Sequence, residues 1–163
     1  MKVVIVGGVA GGASAAARLR RLDENAEIIL LERGAYISFA NCGLPYYVGG
    51  AITKKSALTL QTPESFRTRF GIDVRVNSEV TAVHPAEKTV EVRTADGTYT
   101  ESYDKLILSP GAEPVQPPLP GLPNGRVFTL RTIPDAVRIR DYVDEEFTDS
   151  AGVIGGGNIG VEM

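Results

Sequence analysis

The residues able to do chemistry are a single cysteine, a glycine cluster near each end of the chain, and an acid downstream of the first cluster. Cys42 lies in Ser38-Phe39-Ala40-Asn41-Cys42-Gly43-Leu44-Pro45-Tyr46-Tyr47-Val48-Gly49-Gly50 and has no partner thiol in the chain. A lone cysteine is most often a small buried hydrophobe. Its neighbours favour a reactive thiol instead. Asn41 suits a helix N-cap, which makes Cys42 the first residue of a short helix toward Val48, with Pro45 in its first turn. The positive end of the helix dipole would there favour thiolate, the nucleophilic form.

The first glycine cluster is Gly7-Gly8-Val9-Ala10-Gly11-Gly12-Ala13-Ser14. Gly7 permits a tight turn, Gly12 lets a helix pack close to a sheet, and the N–H groups of that helix's first turn can face a pyrophosphate. Val9 stands where the G-x-G-x-x-G pattern has its middle glycine. Glu32 follows Gly12 by 20 residues, the spacing of an acid that holds a ribose. Near the C-terminus, Gly155, Gly157 and Gly160 match G-x-G-x-x-G literally.

The elements that position these residues are legible from their periods. Lys2 to Val6 and Glu27 to Leu31 read as buried strands flanking an Ala-rich helix, Ala15 to Leu22, which makes a βαβ unit. Thr62 to Gly71 reads as a helix with Thr62 as N-cap, Pro63 first and Gly71 at its end. Its Arg67 and Arg69 suit either phosphate binding or a solvated face. Val74 to Val76 is a strand, and Val80–Val83, Thr89–Arg93 and Thr98–Thr100 form a β-meander with a hairpin turn at Asp96-Gly97. The only histidine, His84, precedes Pro85 at a strand end and reads as structural. Tyr103 to Leu108 returns to the parallel sheet and ends in Ser109-Pro110-Gly111-Ala112, where a glycine lets backbone approach a ligand. Proline-rich Val115 to Pro123, an amphipathic helix from Ile133 to Phe147, and a strand from Ala151 to Ile154 complete the chain.

Composition sets limits. A net charge of −3 leaves no basic face to release counterions, so nucleic acid is not an expected partner. No apolar run approaches the ~20 residues of a membrane span, and the N-terminus turns into glycines before it could form a signal-peptide core. One cysteine excludes an internal disulfide framework and fits a reducing cytoplasm. No metal site is expected.

With the Gly7–Ser14 turn, the Ser38–Tyr47 stretch and Tyr103–Ala112 in place, the sequence resembles the N-terminal portion of a single-cysteine flavoprotein disulfide reductase. The family is the pyridine nucleotide-disulfide oxidoreductases, and the branch is that of coenzyme A disulfide reductase and the NAD(P)H-dependent persulfide and polysulfide reductases. Val9 is similar to this branch. The resemblance implies an α/β fold: a Rossmann-like FAD-binding domain over residues 1–114 with an inserted antiparallel meander, a linker and helix over 115–150, and the first strand of a second Rossmann-like, NAD(P)H-binding domain over 151–163. It implies that Gly7, Gly8, Val9, Ala10, Gly11, Gly12, Glu32, Arg33, Asn41, Ser109, Gly111 and Ala112 border FAD, with Glu32 on its ribose. Gly155, Gly157 and Gly160 would begin the NAD(P)H site.

Cys42 would face the flavin as the catalytic thiol, and Ser14, Arg18, Arg21, Ser38 and Asn41 match positions that contact coenzyme A. Arg18 and Arg21 suit ordinary helix-surface charge equally well. Phe70 stands where a family member has a contacting lysine. The implied activity is NAD(P)H-dependent reduction of a coenzyme A disulfide, persulfide or related small disulfide by a cytoplasmic homodimer. NADH oxidase or peroxidase chemistry through a Cys42 sulfenic acid is the alternative. The chain by itself is expected to be a flavin-binding module without turnover.

Overall fold

The computed structural model describes residues 1–122, 125–145 and 148–163. In chain order its elements are β1 (Lys2–Val6), α1 (Ala10–Leu22), β2 (Glu27–Leu31), α2 (Leu44–Val48), α3 (Pro63–Phe70), β3 (Asp73–Arg75), β4 (Glu79–His84), β5 (Thr89–Thr94), β6 (Gly97–Ser102), β7 (Lys105–Leu108), α4 (Ile133–Glu145) and α5 (Asn158–Glu162). They form two compact units. Met1–Phe39 with Thr59–Gly111 make the first, and Ala40–Leu58 with Ala112–Met163 the second.

The first unit is built on a parallel sheet of order β3-β2-β1-β7. The β-branched run Val3-Val4-Ile5 reads as a strand because a central parallel strand buries both faces. The period of two then divides the core. Val3, Ile5, Ile28 and Leu30 pack with Ala13, Ala16, Phe66, Ile72 and Val74 on one side. Val4, Ile29 and Leu31 pack with Val90 and Val92 of the antiparallel β4-β5-β6 sheet on the other. Each such buried aliphatic side chain contributes about 1.5–3 kcal/mol. That burial, rather than propensity, sustains the three-residue edge strand β3 through Ile72 and Val74.

Local signals hold well in this unit. Thr62 and Ser65 form a reciprocal capping box at α3, and Gly71 closes that helix with a left-handed φ of 58°. The meander's second hairpin turns through Ala95-Asp96, with Gly97 already paired to Thr94. An ionic clamp joins the two sheets. Glu101 of β6 accepts from Lys2 Nζ of β1 at 2.6 Å and from Arg75 Nη1 of β3 at 2.5 Å. Burial pushes the Glu101 carboxyl up, but the hydrogen bonds from Lys2 and Arg75 outweigh it and hold it below the usual range.

The second unit contains a 3₁₀ turn at Asn41–Gly43 that runs into α2, together with α4 and α5. Helix α4 buries Ile133, Ala136 and Ile139, and Asp135 ties its start by accepting from Thr132 N–H at 2.9 Å.

Residues 40–58 group with 112–163 in the second compact unit. The chain leaves the first unit after Phe39 and re-enters it at Thr59, where an isolated bridge pairs these two residues. The expected strand Ala151–Ile154 does not form among the described residues, because an isolated segment has nothing to satisfy its ladder groups. A 3₁₀ turn at Lys55–Leu58 buries Leu58. Residues 123–124 and 146–147, and with them the expected helix end at Phe147, lie outside the described residues.

Candidate functional site

Where β1 meets α1 the backbone is packed too tightly for side chains. Gly7 has φ 93°, and a Cβ there would overlap the carbonyl of Ser109; a Cβ on Gly12 would overlap the carbonyl of Gly7. A Cβ on Gly11 would meet Ser109 Oγ. Gly7 and Gly12 are demanded by close approach of β1, α1 and the end of β7, whether or not a ligand binds, whereas at Gly11 only a side-chain oxygen stands in the way. What points to a ligand is the unfilled N-terminus of α1. Its N-cap is Val9, which makes no side-chain cap, and no acid sits in its first turn. A 13-residue helix therefore leaves N–H donors and a positive dipole end uncompensated at Ala10, Gly11 and Gly12.

The acid lies beside this turn. Glu32 Oε2 accepts the Gly8 N–H at 2.7 Å, and Oε1 accepts the Gly34 N–H at 2.8 Å. A carboxylate has roughly four acceptor positions, so two remain for hydroxyls. Ser38 closes the other side: its N–H donates to the Gly8 carbonyl at 2.8 Å, with the residue held at a left-handed φ of 44°. A groove runs from the glycine turn between Glu32 and Arg33 on one side and Ser78, Glu79 and Val80 on the other, with Pro110 at its edge. Asn77 and Ser78 are strapped to the turn after β2, their N–H groups donating to Gly34 and Glu32 carbonyls at 3.0 and 2.9 Å.

On α1, Ser14, Arg18 and Arg21 follow i, i+4, i+7 spacing and are all exposed on one face. Neither Arg18 nor Arg21 has an ion-pair or hydrogen-bond partner among the described residues, whereas Arg20 donates to carbonyls of Glu24, Phe70 and Gly71.

In the second unit Cys42 is a free, exposed thiol. The capping expectation for Asn41 does not hold. Asn41 begins the 3₁₀ turn instead of capping a helix, α2 starts only at Leu44, and the Asn41 Oδ1 is buried with no hydrogen-bond partner among the described residues. A five-residue helix two positions downstream supplies little dipole to the thiol. Gly155 and Gly160 repeat the geometry of Gly7 and Gly12: Gly155 has φ 111°, and a Cβ on Gly160 would overlap its carbonyl.

A family model described as "Pyridine nucleotide-disulphide oxidoreductase" matches residues 1–163. The chain belongs to the pyridine nucleotide-disulphide oxidoreductase family. A coenzyme A disulfide reductase of Staphylococcus aureus is 40% identical over 99% of this chain and 37% of its own length. Reduced CoADR-RHD of Bacillus anthracis superposes with a TM-score of 0.97 at 57% identity, over 99% of this chain and 30% of that one. An NAD-dependent persulfide reductase from A. fulgidus superposes with a TM-score of 0.95 at 36% identity, over 99% of this chain and 31% of that one. The chain thus spans about a third of the length of these relatives.

For a member of this family the first unit fits FAD. The uncompensated α1 N-terminus suits a pyrophosphate, Glu32 has acceptors to spare, and the groove continues past both. Of the residues expected from sequence, the fold brings Gly7, Gly8, Val9, Ala10, Gly11, Gly12, Glu32, Arg33, Ser38, Ser109 and Gly111 together in the first unit. Asn41, Cys42, Ala112, Gly155, Gly157 and Gly160 belong to the second. Sequence reasoning missed Ser78, Glu79 and Val80. The signal available was Asn77, a residue type that tolerates the left-handed φ of 51° with which the chain turns there. No helix among the described residues is long and apolar enough to cross a membrane.

Proposed function

We propose that the chain is the flavin-binding part of an NAD(P)H-dependent reductase of coenzyme A disulfide, persulfide or a related small disulfide, with Cys42 as its redox-active thiol. The observation that carries this reading is an exposed, unpaired cysteine in a chain whose first strand–helix turn leaves a helix N-terminus open to a pyrophosphate. The N–H groups of Ala10, Gly11 and Gly12 would hold that pyrophosphate, and Glu32 would accept the ribose hydroxyls while keeping Gly8 in place. Arg33 and Val80 would flank the adenine end, with Ser109, Gly111 and Ala112 bordering the cofactor. Gly155, Gly157 and Gly160 would open the NAD(P)H site. Ser14, Arg18 and Arg21, with Ser38 and Asn41, would receive the anionic coenzyme A, the two cations answering its phosphates. A cytoplasmic homodimer is part of the same reading.

Bound FAD supplies the two-electron relay from NAD(P)H. Cys42 as thiolate attacks one sulfur of the substrate disulfide, forming the mixed disulfide Cys42–S–S–R and releasing the other half as R–S⁻, which takes a proton. Two electrons and a proton then cleave the mixed disulfide to Cys42 thiolate and R–SH. In this reading the second sulfur of the mixed disulfide is the substrate's own. The test is Cys42→Ser in the full-length enzyme: flavin absorbance and NADH-dependent ferricyanide reduction should persist while reduction of coenzyme A disulfide disappears. Surviving disulfide turnover would refute the role of Cys42, and faster wild-type turnover on hydrogen peroxide would refute the substrate.

A further inference from the structure

Helix α4 carries an arginine where its core face should be apolar. Ile133, Ala136 and Val137 share that face with Arg140 at i, i+3, i+4 and i+7, and Ile133 and Ala136 are fully buried. The Arg140 side chain is only 23% exposed. A cation in such a place must find acceptors, and Arg140 finds them on the segment that follows Cys42. Its Nη1 donates to the carbonyls of Tyr47 at 3.2 Å and Ile52 at 3.1 Å, and its guanidinium lies 4.7 Å from the centroid of the Tyr47 ring. Nε faces Asp144 Oδ2 at 3.7 Å, a solvent-exposed partner.

We propose that Arg140 is the positioning residue for the Cys42 segment, a role that rests on reading Cys42 as the reacting thiol. Helix α2 has five residues and no side-chain N-cap, too short to persist by its own hydrogen bonds. It is continuous with the thiol's own turn, because the Leu44 N–H donates to the Asn41 carbonyl. Whatever holds Tyr47 and Ile52 therefore sets the orientation of Cys42 through one short run of chain. Arg140 holds both carbonyls with a single nitrogen while its guanidinium lies over the Tyr47 ring. A lysine offers a point charge without a plane to lie on that ring.

The test is carried out on the full-length flavoenzyme with Arg140→Met, Arg140→Lys and Asp144→Asn. Turnover is measured on coenzyme A disulfide, which needs the thiol, and on ferricyanide, which takes electrons from reduced flavin without it. Methionine keeps the apolar stem and removes the donors. Arg140→Met should lower kcat on the disulfide about tenfold, with KM and ferricyanide turnover within about twofold of wild type, as expected when a reacting atom loses its orientation. Arg140→Lys should lose roughly threefold or more on the disulfide alone and gives the same reading if the methionine variant fails to fold. Asp144→Asn should match wild type. An unchanged kcat, or equal losses on both acceptors, overturns the positioning role. A Cys42→Ser enzyme that still reduces the disulfide overturns the reading beneath it instead.

Discussion

Gly11 and Gly12 are adjacent in the same helix turn, yet the structure assigns them opposite responses to alanine. In an open helix either change would be favourable by about 1 kcal/mol. At Gly12 the added Cβ would fall on the Gly7 carbonyl oxygen, whereas a real Cβ keeps at least 3.0 Å from such an atom. Both clashing groups are backbone, so no rotamer relieves them and α1 must move off β1. Overpacking of this kind costs about 1–3 kcal/mol and more when backbone must shift. The clash outweighs the helical gain, and the α1 N-terminus leaves the position that suits a pyrophosphate. Gly12→Ala should therefore destabilise by about 2 kcal/mol or more and lose bound flavin. At Gly11 the added Cβ meets only Ser109 Oγ, a side-chain atom that can rotate away. Gly11→Ala should be close to neutral, and adding Ser109→Ala should make it stabilising by roughly the 1 kcal/mol of helix propensity. Thermal unfolding of the full-length protein, with flavin content read by absorbance, checks both variants, and Gly152→Ala in open space is the control. A flavin-replete Gly12→Ala protein of native stability would refute the close-packing argument. So would a Gly11→Ala protein that stays destabilised after Ser109 is removed.

The ionic clamp gives a second expectation. A fully buried pair that loses one member costs about 3–5 kcal/mol, and Glu101→Gln should cost nearer about 2 kcal/mol because Lys2 and Arg75 remain partly exposed. Chemical denaturation at pH 7 measures it. The clamp also sets a pH window. The folded Glu101 carboxyl lies below its ordinary value, so its contribution is present above the unfolded value near 4.5 and is lost as pH falls through the folded one. Lys2 is raised first by the hydrogen bond it donates to Glu101, so its share is complete below its unfolded value of 10.5 and fades as pH rises through the folded one. Acid titration of the Glu101→Gln protein should show a correspondingly flatter loss of stability, and an unchanged acid limb would contradict this. Glu32→Ala removes the acceptor of both Gly8 and Gly34 N–H groups and should weaken flavin retention by at least about tenfold in a fluorescence titration. Wild-type affinity would show that Glu32 serves neither the loop nor a ribose.

Much of this protein can be read along the chain because the deciding interactions are short in sequence. The apolar runs Lys2–Val6 and Glu27–Leu31, the Thr62 cap and the Gly71 stop each rest on a few neighbouring residues, and each stands in the fold. The expected hairpin forms too, but its two-residue turn is Ala95-Asp96 rather than Asp96-Gly97, because Gly97 already pairs with Thr94. The glycine turn and Glu32 were legible for a similar reason: 20 residues is the reach of one helix and one strand back to the same sheet edge. Asn41 caps no helix, although its residue type and position suit one. A cap needs free N–H groups in a helix of some length, and the packing of this segment instead starts a 3₁₀ turn there and buries the Asn41 oxygen. Ser78, Glu79 and Val80 reach the groove only because β4 follows a turn strapped to Gly34. Arg140 meets Tyr47 across 93 residues of chain. Such contacts pair backbone acceptors with a distant donor, and every residue carries an identical carbonyl. Residue type and spacing therefore mark the cysteine and the glycine turns, while the carbonyls that anchor the cysteine's segment are chosen by tertiary packing alone.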